Sequence, residues 1–117
     1  MGQVTSTVFD RERALANMGD DPDLLREAGA AFLDEYRRWV TDIEVKLRAT
    51  NANGLEQAAH KLKGALLALC ANEACERAGE LERMGRTGDL ANAETAFREL
   101  SEAVDRFARQ LGAFVGP

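Results

Sequence analysis

Proline, histidine and long apolar runs are scarce in this sequence. Its prolines are Pro22 and Pro117, so the chain between them can be helical without a proline break. No apolar run approaches the ~20 residues that span a bilayer. The opening "MGQVTSTVFD" also lacks a basic segment followed by an apolar one, and a soluble, cytoplasmic protein is expected. Basic charge is short as well, with 15 Lys and Arg against 20 Asp and Glu and a formal net charge of −5. That balance argues against general nucleic-acid binding, because phosphate backbones select a basic face. Cys70 and Cys75 lack C-x-x-C spacing and a second ligand pair, so they form no zinc signature. Thiols filling a core in a reducing compartment are expected rather than a disulfide. The single histidine, His60, weighs against a helical di-metal site, which needs Glu-x-x-His motifs on two helices.

What the chain does have is helix formers, Ala, Leu, Glu and Arg, with few β-branched residues, and this favours an all-α fold. At 117 residues it is one domain, too short for a nucleotide-binding fold beside a second domain. "FDRERALANM" offers Asp10 as an N-cap and an apolar edge of Phe9, Leu15 and Met18, a short lid on one end of the core. "GDDPDLL" starts a second helix, with Asp21 as cap and Pro22 in the first turn. From there Leu25, Ala28, Phe32, Tyr36, Trp39, Ile43 and Leu47 recur at three- and four-residue steps to about Thr50, where "TNANG" breaks the pattern. A third helix is expected from about Leu55 to Leu69. A fourth starts at Asn72, with Ala74, Ala78, Leu81 and Met84 or Gly85 inward and Gly88 at a left-handed C-terminal position. The last, from about Leu90 to Phe114, carries Leu90, Ala93, Phe97, Leu100, Val104, Phe107, Leu111 and Phe114 on one stripe. Four long amphipathic segments joined by short turns predict an up-down four-helix bundle with a short extra N-terminal helix. The domain is expected over residues 8–115, with flexible ends at 1–7 and 116–117.

His60 lies in the middle of the third of these helices, in "AAHKLKGALLALC". Leu55, Ala59, Leu62, Leu66 and Leu69 cluster on a face roughly 140° from it, so they form the buried stripe and His60 points to solvent. Within about a quarter-turn of His60 lie Glu56, Gln57, Lys63, Gly64, Leu67 and Ala71. An exposed histidine alone is ordinarily a surface residue without a role. Here Gly64 costs about 0.5–1 kcal/mol relative to alanine in mid-helix and clears space beside the ring. Lys63 adds a positive charge to the same face. Leu67 puts an apolar side chain on the wettest side, with Ala68 and Ala71 completing a flat surface suited to a partner. Together these point to a site that admits an anionic group. From His60 to Arg86 five Lys and Arg face four Glu, a local net charge of +1 in a chain that is otherwise acidic. Among the arginines and lysines of that hairpin, Lys61 and Arg77 read as ordinary solvated residues.

The pattern H-x-L-K-G, His60 to Gly64, on the second long helix of a four-helix bundle resembles the histidine-containing phosphotransfer (HPt) domains of bacterial multistep phosphorelays. The likeness runs from about Leu15 to Leu111. It implies a phosphocarrier without ATP-binding or autokinase activity, whose histidine accepts a phosphoryl group from a receiver-domain aspartate and passes it to another. Carried over, His60 is the phosphoacceptor, Lys63 the lysine next to the phosphoryl group, and Gly64 the small residue that leaves access. In "ELERMGR", Glu82 stands where many members have a glutamine or similar polar residue that bonds the ring, and Arg86 where some have a second phosphate-contacting cation. Many relatives have Ser or Thr after the glycine and a further Gly near the helix end, where this chain has Ala65 and Cys70. The resemblance implies as partners the receiver domains of a hybrid sensor kinase or a response regulator, and a monomer with no nucleic-acid or membrane partner. No cofactor or metal of its own is expected, since one histidine with no inward carboxylate cluster makes no site, and Mg is expected in the receiver. Two other readings are a helical adaptor with an incidental surface histidine and the dimerisation half of a sensor kinase. In the second, the histidine is usually followed by an acidic residue and later by a helix-kinking proline, whereas Lys61 follows His60 here.

Overall fold

The computed structural model describes residues 7–116. Residues 1–6 and 117, most of the two expected flexible ends, lie outside that range. Five helices follow one another: α1 (Arg11–Asn17), α2 (Pro22–Arg48), α3 (Ala52–Ala68), α4 (Asn72–Thr87) and α5 (Ala93–Val115). Each of α2 to α5 packs on the next and α2 closes on α5, so the four long helices enclose one core. The fold is all-α, and no strand occurs among the described residues.

The start signals act as their chemistry demands. The Asp10 carboxylate accepts from Arg13 N, and that of Asp21 accepts from Asp23 N and Leu24 N ahead of Pro22. The expected stripes fill the core, with Leu25, Ile43, Leu55, Leu62, Leu66, Leu81, Leu100 and Phe107 fully buried. At about 1.5–3 kcal/mol for each large apolar side chain removed from water, this stripe is the main source of stability. Ala28, Trp39, Leu90, Phe97 and Phe114, expected on the same stripes, are only half-buried. They pack against the buried core from its margin. The lid is tied down by Phe9, edge-on to Phe107 with ring centroids 5.4 Å apart, and by backbone bonds from Asp10 N to Cys70 O and from Glu73 N to Thr7 O.

The helix ends hold the main departures from expectation. α3 starts at Ala52 rather than Leu55, because the Asn51 side chain caps Gly54 N at 2.9 Å. Gly54, read from sequence as part of a break, is buried inside the helix; a methyl there would lie 2.6 Å from Asn51 Nδ2 and 2.8 Å from Lys46 Cδ. The turn out of α2 is made by Thr50, at φ 49°, whose N–H bonds Leu47 O while Asn51 N bonds Lys46 O. The same pair of bonds ends α3, where Cys70 at φ 57° bonds Leu67 O and Ala71 N bonds Leu66 O. This second turn overturns one expectation. Ala71, assigned to the docking surface beside Leu67, is fully buried, because the left-handed Cys70 swings the chain inward and Ala71 becomes the residue capping α4. A helical wheel extended past the last helical residue places it on the wrong side. Gly88 takes the expected left-handed conformation at φ 79° after α4. Both thiols are free, Cys70 buried and Cys75 half-buried, and burial pushes both up from the ordinary thiol range.

Candidate functional site

α3 and α4 pack closely along their length, and Gly85 sets how closely. A methyl group on Gly85 would stand 2.6 Å from Glu56 N and 2.7 Å from Ala52 O, both backbone atoms of α3. Only hydrogen fits there. This approach places Glu82, one turn earlier on α4, against the face of α3 that carries His60 and Lys63. His60 Nδ1 is 2.7 Å from Glu82 Oε2, and Lys63 Nζ is 2.5 Å from Glu82 Oε1. One carboxylate thus meets two residues three apart on the neighbouring helix.

Exposure divides the roles. The His60 side chain is 69% exposed and that of Glu82 only 9%. Burial pushes the Glu82 carboxyl up, but the hydrogen bonds from Lys63 and His60, with the Lys63 charge, outweigh it and hold Glu82 below its ordinary value. Glu82 is therefore ionised and can only accept. Nδ1 therefore carries a proton and donates it to Glu82, and in the tautomer that this bond selects the lone pair belongs to Nε2. In that tautomer an oriented Nε2 on a largely exposed ring can act as a nucleophile.

Gly64 is one turn further along α3, and a methyl there would meet no atom within 4 Å. Packing within the chain does not require this glycine, in contrast to Gly54 and Gly85. Its effect is to leave open the space beside the imidazole. Lys63 is about one-third exposed, and its stem passes Gly79 of α4, where an added methyl would touch Lys63 Cδ at 3.8 Å. Leu67 is 62% exposed, among the few large apolar side chains left in solvent, and Ala68 beside it is exposed too.

Arg86, expected as a second phosphate-contacting cation, already has partners within the chain. Its Nε is 3.4 Å from Glu56 Oε2 and its Nη2 is 4.0 Å from Glu82 Oε2, so two carboxylates already engage it. Glu56 was visible in the sequence only as a neighbour of His60. Its part became apparent once α4 was in place, since no local pattern signals a bridge between residues 30 apart. The cations read as ordinary solvated residues have contacts away from His60. Lys61 Nζ lies 5.9 Å from the centre of the Trp39 ring, and Arg77 pairs with Glu80 and Glu99. Among the described residues, no group of three or more His, Cys, Asp or Glu side chains is arranged to hold a metal ion. No helix among them is long and apolar enough to cross a membrane.

No curated protein and no solved structure matches the chain. A family model, that of the Hpt domain, matches residues 27–110, from the second turn of α2 almost to the end of α5. The chain therefore belongs to the Hpt domain family, whose general role is histidine phosphotransfer in phosphorelays, in contact with receiver domains.

Proposed function

We propose that the chain is a phosphorelay intermediate that accepts a phosphoryl group on His60 Nε2 from a receiver-domain aspartate and passes it to the aspartate of another receiver. The observation that carries this reading is the hydrogen bond from His60 Nδ1 to the ionised, buried Glu82, which leaves Nε2 as the exposed nucleophile. In the forward step the Nε2 lone pair forms the bond to phosphorus, the P–O bond to the aspartate breaks, and the carboxylate leaves with the electron pair. Nδ1 keeps its proton throughout. The phosphorylated ring therefore gains positive charge, and Glu82 faces that charge at 2.7 Å. The N–P bond stays weak enough for the reverse attack by a second aspartate.

Lys63 offsets charge on the transferring phosphoryl oxygens by turning its ammonium outward from Glu82. Gly64 lets the receiver's phosphoaspartate approach the ring. Arg86 can add to that charge only by leaving Glu56, which holds it together with Glu82. Leu67 and Ala68 form the apolar ground on which a receiver rests while its aspartate reaches Nε2. The divalent cation of the reaction belongs to the receiver, as does the activation of its aspartate, and the chain supplies neither nucleotide binding nor autokinase activity.

The test is phosphotransfer from phosphorylated receivers of the same genome. The wild type is expected to take acid-labile label, and His60→Gln, which removes an exposed side chain and leaves the fold intact, is expected to take none. Label on the mutant overturns the assignment.

A further inference from the structure

Glu56 is the one charged side chain at the site to which the phosphotransfer step gives no part. It lies one turn before His60 on α3 and is half-buried, and with Asn53, Gln57 and Glu82 it borders a recess beside the imidazole. The charges around that recess are already matched. Lys63 of α3 meets Glu82 of α4, and Arg86 of α4 meets Glu56 of α3 as well as Glu82. Two cations and two carboxylates leave the cluster neutral before a phosphoryl group arrives with about two negative charges of its own. Lys63 can swing to the phosphoryl group about its own flexible stem. Arg86 can follow only by giving up Glu56.

We propose that Glu56 is a positioning residue that holds Arg86 back from the phosphoryl group on His60, and so keeps the phosphohistidine reactive toward the next receiver. The proposal rests on His60 being the acceptor. A half-exposed ion pair adds little to stability, but it decides where a long side chain spends its time. With Arg86 held back, the phosphoryl group is less stabilised on this protein and passes on more readily. Without Glu56, Arg86 reaches the phosphoryl oxygens and stores the group.

The experiment uses phosphoramidate, a small donor that needs no docking surface. The bond from Nε2 to phosphorus forms as the P–N bond of the donor breaks and ammonia leaves with the electron pair. The lifetime of phospho-His60 is followed in the wild type, Glu56→Gln, Arg86→Ala and the double variant. Arg86→Ala is expected to change the lifetime by less than about twofold when Glu56 is present, and to shorten it by about fivefold or more when residue 56 is Gln. In Glu56→Gln the 31P resonance of the phosphoryl group should also titrate at a lower pH than in the double variant, since a freed guanidinium favours the dianion beyond the loss of the Glu56 charge itself. A purely structural Glu56 moves neither reading. Equal effects of Arg86→Ala in the two backgrounds overturn the proposal while leaving His60 as the acceptor. A wild type that takes no label removes the acceptor assignment, and the proposal with it.

Discussion

Glu82 ties together the two side chains that face solvent at the site, and its charge does more than its size. With the carboxyl held below its ordinary value, folding gains from its ionised form at any pH above the unfolded value of about 4.3, and that gain is lost as pH falls through the lower folded value. Glu82→Gln keeps the volume and one acceptor but loses the charge. Its stability deficit against the wild type is expected to be flat around neutral pH and to shrink below about pH 4, as read from denaturant midpoints across that range. Gly64 carries the opposite kind of prediction. Because a methyl there meets nothing, Gly64→Ala should stabilise the fold by about 0.5–1 kcal/mol while slowing transfer from a receiver, measured by thermal melts and labelling rates on the same samples. Gly64, Lys63 and His60 were legible in the sequence because one helix holds them all and a helical wheel orders them. Glu82 was not legible from periodicity. It follows the buried Leu81 directly and reads as the first residue of a solvated face, and only the family resemblance placed it at the ring.

At the scale of elements, α3 and α4 must stay close for Glu82 to reach His60, and Gly85 sets that spacing. Gly85→Ala forces a methyl against two α3 backbone atoms that cannot move aside separately, so a loss of about 1–3 kcal/mol is expected. Transfer should slow as well, since the His60–Glu82 hydrogen bond spans the displaced interface. A Gly85→Ala protein with unchanged stability and rate would contradict this view of the packing. The turns predict gains. Thr50 is β-branched, exposed and left-handed, so Thr50→Gly should stabilise by about 1 kcal/mol, seen as a higher melting temperature. These turns also explain what the sequence hid. The helices themselves announce their registers through apolar spacing, and Gly88 announces its turn. Thr50 and Cys70 take the same conformation without glycine's signal, so the start of α3 and the burial of Ala71 could not be read in advance.

Across the whole molecule, the proposed site occupies one face of the bundle, where α3 and α4 meet. The core stripes and the order of helices were legible from the chain because each is a local pattern repeated over many residues, and the helix ends at Asp10, Asp21 and Gly88 because each has its own local signal. The pairing of Glu56 with Arg86 depends on how two helices dock and has no such pattern. On the proposed docking face a receiver at His60 would cover the exposed Leu67, and fully burying one leucine is worth about 1.5–3 kcal/mol, or roughly tenfold or more in affinity. Leu67→Asp is therefore expected to weaken receiver binding by at least that factor in a titration, while labelling by phosphoramidate proceeds as in the wild type. Everything proposed for this face depends on which ring nitrogen takes the phosphoryl group. Long-range 1H–15N NMR of the protein, phosphorylated through a receiver, reports that directly. Phosphorus on Nε2 of His60, with Nδ1 still protonated, is the expected result; phosphorus on Nδ1, or on any other residue, would contradict the role given to Glu82 and the mechanism built on it.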